Sequence, residues 1–248
     1  MRPPPRTIAA VCFDLDDTLY SQADWLAGAW AAVAERAGED GIDAAALRAA
    51  LEDIAGEGSD RGRIIDRALD RLGAVHEPVA PLVAAFRAYR AEHLEPFPGV
   101  RAGLEQLAAR VPLALVSDGD PEIQRAKLAA LGIAEHFAAV VWSDEHGREH
   151  RKPHPLPFTI AVELLGVHPA DTVYIGDRPD KDVAGASAAG LVPVRVRTGE
   201  WHGQPDRDEC WASVASVADA IKLLTGVLDQ SSRTATSTRN SRSPGARR

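Results

Sequence analysis

Six residues near the amino end, Ile8 to Phe13 (IAAVCF), are apolar without a break, and the next seven read Asp-Leu-Asp-Asp-Thr-Leu-Tyr. A short unbroken apolar run is the pattern of a strand buried on both faces, as in a parallel sheet covered by helices. Similar runs recur at Leu113–Val116, Ala138–Trp142, Thr172–Ile175 and Leu191–Val196, separated by helical patterns at Pro121–Leu131, Leu156–Leu165 and Asp180–Ala189. Such alternation implies right-handed β-α-β crossovers. The expected fold is α/β, a doubly wound parallel sheet.

The alternation lapses once. From Ser21 to about Glu95 only helical stripes occur: Trp25, Leu26, Ala29, Trp30 and Val33; Ile64, Ile65, Ala68, Leu69 and Leu72; Leu82, Val83, Phe86 and Tyr89. Gly and Asp clusters at 38–43 and 56–62 separate the stripes, and Pro96, Pro98 and Gly99 close the segment. The pattern predicts an α/β core from residues 1–19 and 97–230, with an inserted α-helical cap at 20–96. Trp25, Trp30 and Phe86 read as helix-packing core.

Composition narrows the function classes. With 45% hydrophobic and 26% charged residues in 248, the chain has material for a real core and is neither fibrous nor disordered. The net charge of −8 argues against nucleic acid as a partner. Residues 231–248 hold five Arg and no acid, lack apolar periodicity, and are expected to form a disordered basic tail. No uncharged stretch approaches the ~20 residues of a membrane span, and no secretory apolar segment precedes Asp14, so no membrane is expected. Two cysteines, Cys12 and Cys210, make no disulfide framework, and a cytoplasmic location is the default. Of 28 basic residues only four are lysines: Lys127, Lys152, Lys181 and Lys222.

The residues suited to chemistry cluster at strand ends. Asp14 and Asp16, two apart in an extended chain, project together from the carboxyl end of the first strand, where open α/β sheets bind ligands. Paired carboxylates there can attack an electrophile, handle a proton and attract a hard cation. The plainer alternative is an acidic loop with Asp as a helix cap. Three acids in four residues nonetheless repel unless something positive lies between them. Ser117-Asp118-Gly119 at the next strand end is either a phosphate cradle or an ordinary turn. Gly176-Asp177-Arg178-Pro179-Asp180-Lys181-Asp182 forms a second acidic cluster, and Lys152 stands before a helix in Arg151-Lys152-Pro153-His154-Pro155.

These four segments, in this order and on this pattern, resemble the haloacid dehalogenase superfamily, in the branch with a helical cap after the first strand. The resemblance covers about residues 8 to 225. It rests on Asp14, Asp16 and Thr18 of Asp-x-Asp-x-Thr, on Ser117, on Lys152 before Pro, and on Gly176, Asp177 and Asp182. It implies a Mg²⁺-dependent phosphatase acting on a small phosphorylated metabolite, as a monomer or homodimer. Asp14 would be the nucleophile and Asp16 the acid and base. Thr18, Ser117, Asp118 and Lys152 would surround the phosphate. Asp14, Asp177 and Asp182, with the backbone carbonyl of Asp16, would hold the metal. Carbon–halogen cleaving members lack the second Asp, which is present here as Asp16. Phosphonoacetaldehyde cleavage needs a cap lysine, and residues 20–96 contain none. A sugar phosphomutase remains the alternative enzyme. A non-catalytic phospholigand-binding member is the alternative binder, for which Asp16 would be superfluous.

Some details depart from the family pattern or lie outside it. Asp118 stands where Asn is frequent, and His154, read as loop structure, stands where Asp is frequent. Asp144 or Glu145 is a candidate to steady Lys152. Arg61, Arg63, Arg87 and Arg90 in the cap are read as solvated surface. His168 and His202 lack ligand spacing, and the Trp201–Trp211 stretch reads as an edge loop without assigned chemistry.

Overall fold

Inner strands of a parallel sheet need apolar side chains on both faces, and the first strand, β1 (Ala10–Phe13), is fully buried at the centre of six. The computed structural model describes residues 3–5, 7–58, 62–74 and 78–240. Its other strands are β2 (Leu113–Ser117), β3 (Ala139–Trp142), β4 (Thr172–Gly176), β5 (Val192–Val196) and β6 (Ala212–Val214). Their order is β3-β2-β1-β4-β5-β6, and every neighbouring pair is parallel. The order reverses between β1 and β4, which opens a crevice at their carboxyl ends. β6 escaped sequence reading because it is a three-residue, half-buried edge strand without a periodic signal.

Alternation along each strand builds two cores. Val11, Phe13, Leu113, Leu115, Val173 and Ile175 face one side. There they meet α5 (Val100–Ala108), α6 (Pro121–Leu131) and α9 (Val217–Asn240). Cys12, Ala114, Val116 and Tyr174 face the other side, against α7 (Leu156–Leu165) and α8 (Ala184–Ala188).

Between β1 and α5 lie α1 (Gln22–Glu39), α2 (Ala44–Gly56), α3 (Ile64–Arg71) and α4 (Val79–Ala88). They share a separate apolar cluster that includes Trp30, Val33, Leu47, Leu51, Leu69 and Leu82. α2 is a helix that the three sequence stripes did not single out; Asp43 starts it by accepting the Ala46 amide at 3.0 Å. Trp25 and Ala29 on α1 pack instead with the sheet core, so α1 belongs to both clusters. The two crossings into this helical unit lie side by side. Tyr20 bridges Pro96, and the Phe97 amide donates to the Leu19 carbonyl at 2.9 Å.

The last helix runs into the segment expected to be disordered from residue 231. α9 continues to Asn240, because extending an established helix costs far less than starting one. Residues 241–248 of the expected tail lie outside the described residues. Among the described residues, no helix is long and apolar enough to cross a membrane.

A buried cation ties β5 to the loop that follows it. The Arg195 guanidinium has no solvent exposure and donates to the Asp177, Trp201 and Gln204 carbonyls and to Asp206. Arg195→Met would strand those acceptors, at a cost of roughly 3 kcal/mol. Thermal unfolding should then show a midpoint lowered by roughly 6–12 °C; an unchanged midpoint would refute the assignment.

Candidate active site

The crevice between β1 and β4 places the first acid. The Asp14 amide donates to the Ile175 carbonyl at 2.9 Å, so the carboxyl stands at the end of the shared ladder and is 6% exposed. Lys152 meets it from the loop before α7. The Lys152 ammonium contacts an Asp14 oxygen, donates to Asp182 Oδ1 at 2.8 Å, and lies 3.3 Å from the Tyr174 hydroxyl. Thr18 Oγ1 donates to the other Asp14 oxygen at 3.3 Å. Burial alone would strip the Lys152 proton, but the Asp14 and Asp182 carboxylates outweigh it and hold the ammonium well above its usual range.

Asp118, expected near the phosphate, lines the same cleft as Asp14 and Lys152 and bonds through its side chain to that loop. Its Oδ1 accepts from the Lys152 amide at 3.1 Å and from Ser143 Oγ at 2.6 Å, while Oδ2 is buried with no partner among the described residues. Asp118 thereby fixes the backbone that carries the lysine. Neither Asp144 nor Glu145 steadies Lys152: Asp144 pairs with Arg151, and Glu145 with Arg125. His154 accepts the Leu156 amide through Nδ1 and so belongs to the start of α7.

The second acidic cluster follows β4 through one π-helical turn at Pro179–Val183. The amides of Asp182 and Val183 both donate to the Arg178 carbonyl, and this wide turn swings Asp182 back over Gly176. A Cβ on residue 176 would sit 2.4 Å from Asp182 Cγ, so only glycine fits there. Asp14, Asp177 and Asp182 offer oxygens within 4.8 Å of one another, all buried. Burial lifts the Asp14 carboxyl to about 7, with Lys152 opposing and Asp182 and Asp16 adding to the rise. Burial, then Asp182 and Asp14, push Asp177 well above the ordinary carboxylate range. Three crowded carboxylates with one ammonium leave excess negative charge, and an all-oxygen donor set suits a hard divalent cation such as Mg²⁺. The Asp16 side chain stands outside this trio.

Asp16 has a different lysine. Lys127 of α6, 4% exposed, donates to both Asp16 oxygens at 2.8 and 3.1 Å. Gln124, one turn earlier, bridges Asp16 Oδ2 at 2.8 Å and Ser117 Oγ at 2.7 Å, and the Tyr20 hydroxyl donates to Asp16 Oδ1. Burial would raise the Asp16 carboxyl, but Lys127 above all, with Tyr20 and Gln124, brings it below its usual value. None of these three partners was singled out from sequence for the site; the scarcity of lysine was the available signal for Lys127. Asp17, the third acid of the first cluster, is a turn residue at φ 56° whose Oδ1 accepts the Gln22 amide at 2.9 Å.

Asp14, Asp16, Ser117, Lys152 and Asp177 line one cleft of about 170 Å³. Trp201 also lines it, stacked 3.8 Å over Arg178, so the loop after β5 reaches the mouth of the site. Beside the cleft, sharing Asp17 and Gln22 with it, is a mostly apolar chamber of about 580 Å³ between α1, α2 and Gly199–Glu200. Arg63, Arg87 and Arg90 do not line the cleft, and Arg61 lies outside the described residues.

Residues 8–190 match the family described as haloacid dehalogenase-like hydrolase. The chain is 39% identical over 210 residues to a glyceraldehyde 3-phosphate phosphatase of Methanopyrus kandleri, covering 82% of this chain and 89% of that protein. It is 32% identical over 206 residues to a phosphoglycolate phosphatase of Yersinia pseudotuberculosis, covering 80% and 85%. Among solved structures, a 2-haloacid dehalogenase from Pseudomonas syringae pv. Tomato superposes with a TM-score of 0.62 at 26% identity, covering 90% of this chain and 99% of that one.

The raised acids set a sign for stability. Folded Asp14 titrates near 7 against an ordinary 3.8, so the folded state keeps a proton that the unfolded chain releases first. Without metal, stability should fall as pH rises from about 4 through about 7, and Mg²⁺ should raise the melting midpoint more at about pH 8 than at about pH 5. Gly176→Ala, by displacing Asp182, should weaken that Mg²⁺ effect. An equal Mg²⁺ shift at both pH values would contradict the metal assignment.

Proposed function

The chain belongs to the haloacid dehalogenase-like hydrolases, and on that premise we propose that it is a Mg²⁺-dependent phosphatase of a small phosphorylated metabolite, working through an aspartyl phosphate on Asp14. The observation that carries the reading is the pair of strand-end acids, each seated on its own buried lysine: Asp14 on Lys152 and Asp16 on Lys127.

In the proposed reaction an Asp14 oxygen attacks phosphorus as the bond to the leaving oxygen breaks. Asp16, which Lys127 favours as a carboxylate, takes up a proton as the phosphate dianion binds, gives it to the departing alkoxide and returns to the carboxylate that Lys127 stabilises. A water then attacks phosphorus, its proton passes to Asp16, and the bond from Asp14 to phosphorus breaks to release inorganic phosphate. Ser117 and Lys152 hold the phosphate oxygens, and Thr18 steadies Asp14. Asp14, Asp177 and Asp182 would hold the Mg²⁺, which would supply the charge that lets these carboxylates sit beside a phosphate dianion. The apolar chamber beside Asp17 and Gln22 accommodates the leaving group. Asp16 favours this reading over halide displacement, which needs the nucleophile without an acid. The competing mutase would return the phosphate of Asp14 to a second hydroxyl instead of to water.

The names of the relatives supply a first panel. Phosphate release from glyceraldehyde 3-phosphate, phosphoglycolate and p-nitrophenyl phosphate should identify at least one substrate. Asp14→Asn should abolish that release with the circular dichroism unchanged, and a chelator should do so reversibly. Undiminished turnover in the Asn variant would overturn Asp14 as nucleophile. Sugar-phosphate isomer formed without phosphate release would favour the mutase.

A further inference from the structure

Lys127 invites a question that fold stability does not answer. An ammonium at 4% exposure in a helix packed on the sheet costs much of its hydration, and a buried ion pair seldom repays that cost in stability. Its carboxylate partner is Asp16, 111 residues away in sequence, with each oxygen of that acid in reach at 2.8 and 3.1 Å. It is also roofed by Trp25 of α1, whose ring centre lies 4.4 Å from the ammonium, within range of a cation–π attraction. Gln124, on the same face of α6, completes a rigid bracket by joining Asp16 to Ser117. The lysine therefore sits between the helical insertion and the acid that handles the proton.

We propose that Lys127, roofed by Trp25, is a positioning residue that aims the Asp16 carboxylate at the water hydrolysing the aspartyl phosphate, so that this second half of the reaction depends on the seating of α1. The inference rests on the phosphatase reading. In that step the water oxygen bonds to phosphorus, the bond between phosphorus and the Asp14 oxygen breaks, and the water proton goes to Asp16. Lys127 touches neither phosphate nor water; it sets where Asp16 points.

The steps separate with p-nitrophenyl phosphate, whose leaving group departs without a proton. Its kcat/KM reports formation of the aspartyl phosphate, whereas kcat also contains its hydrolysis. Lys127→Met should lower kcat by about tenfold or more while KM falls with it, leaving kcat/KM within about threefold of the parent. Rapid mixing should then show a near-stoichiometric burst of p-nitrophenolate before a slow steady state. Lys127→Arg, which keeps a cation beside Asp16, should recover part of kcat, and Trp25→Leu should show the same split to a smaller degree.

A merely structural lysine would lower kcat and kcat/KM together without a burst, and that result, or an unchanged kcat, overturns the proposal. A parental split in Trp25→Leu overturns the dependence on α1. Should Lys127→Met fail to fold, Lys127→Gln, which keeps a polar side chain in the same place without the charge, provides the same measurement with the same overturning result. A parent chain that releases no phosphate from any monoester fails the phosphatase reading, and the inference falls with it.

Discussion

One ammonium makes this site possible. Lys152 stands between Asp14 and Asp182, in a pocket where neither acid is tolerable as a charge beside the other without it. Much of the surrounding architecture serves to deliver that nitrogen. The β1/β4 ladder brings Asp14 to the crevice, and the π-turn after β4 folds Asp182 back. Asp118 pins the backbone of the loop that carries the lysine, and Tyr174 rises from the opposite core to meet it. The same ammonium falls short of full compensation, since Asp14 and Asp177 are both left reluctant to ionise. That deficit is what makes the trio a place for a divalent cation rather than a closed ion-pair network.

The two acids of the first strand end thus occupy different electrostatic surroundings although they are two residues apart. Asp14 is raised by burial and crowding; Asp16 is lowered by Lys127 and two neutral donors. Groups of the same chemistry whose environments separate their proton affinities are suited to divided tasks. Two of only four lysines in the chain are spent beneath these acids, while arginine supplies nearly all the remaining positive charge.

What was legible in the sequence follows physical lines. Inner strands announce themselves because burial on both faces forces unbroken apolar runs, whereas β6 at the edge has three half-buried residues and no such signature. Asp14, Lys152, Asp177 and Asp182 could be read from local strings because each stands at a strand end or beside a rigid loop. Asp17 looked like one more member of the acidic group, yet its left-handed backbone and its bond to Gln22 make it a cap for α1. Lys127 and Gln124 were illegible as site residues for the opposite reason. They lie within an ordinary amphipathic helix, and only tertiary packing carries them to Asp16. The side-chain direction of Asp118 was equally hidden, because a turn sequence does not say which way its carboxylate faces.

The paired crossings at Leu19–Tyr20 and Pro96–Phe97 have a consequence for how such a chain diversifies. Because the strand leaves the core and re-enters it at adjacent, hydrogen-bonded points, the helical unit closes as a loop on the sheet and touches its core through Trp25 and Ala29 of α1. Closing a longer loop costs little more than closing a shorter one. The helices built on the separate apolar cluster can therefore be lengthened, shortened or exchanged between these two stitches with the strand register and the acidic crevice preserved. Selectivity would then evolve in a module resting on an unchanged chemical base, with α1 as its fixed footing: Trp25 and Ala29 pack with the sheet core, and Trp25 also roofs Lys127, so any substitute unit must supply both contacts.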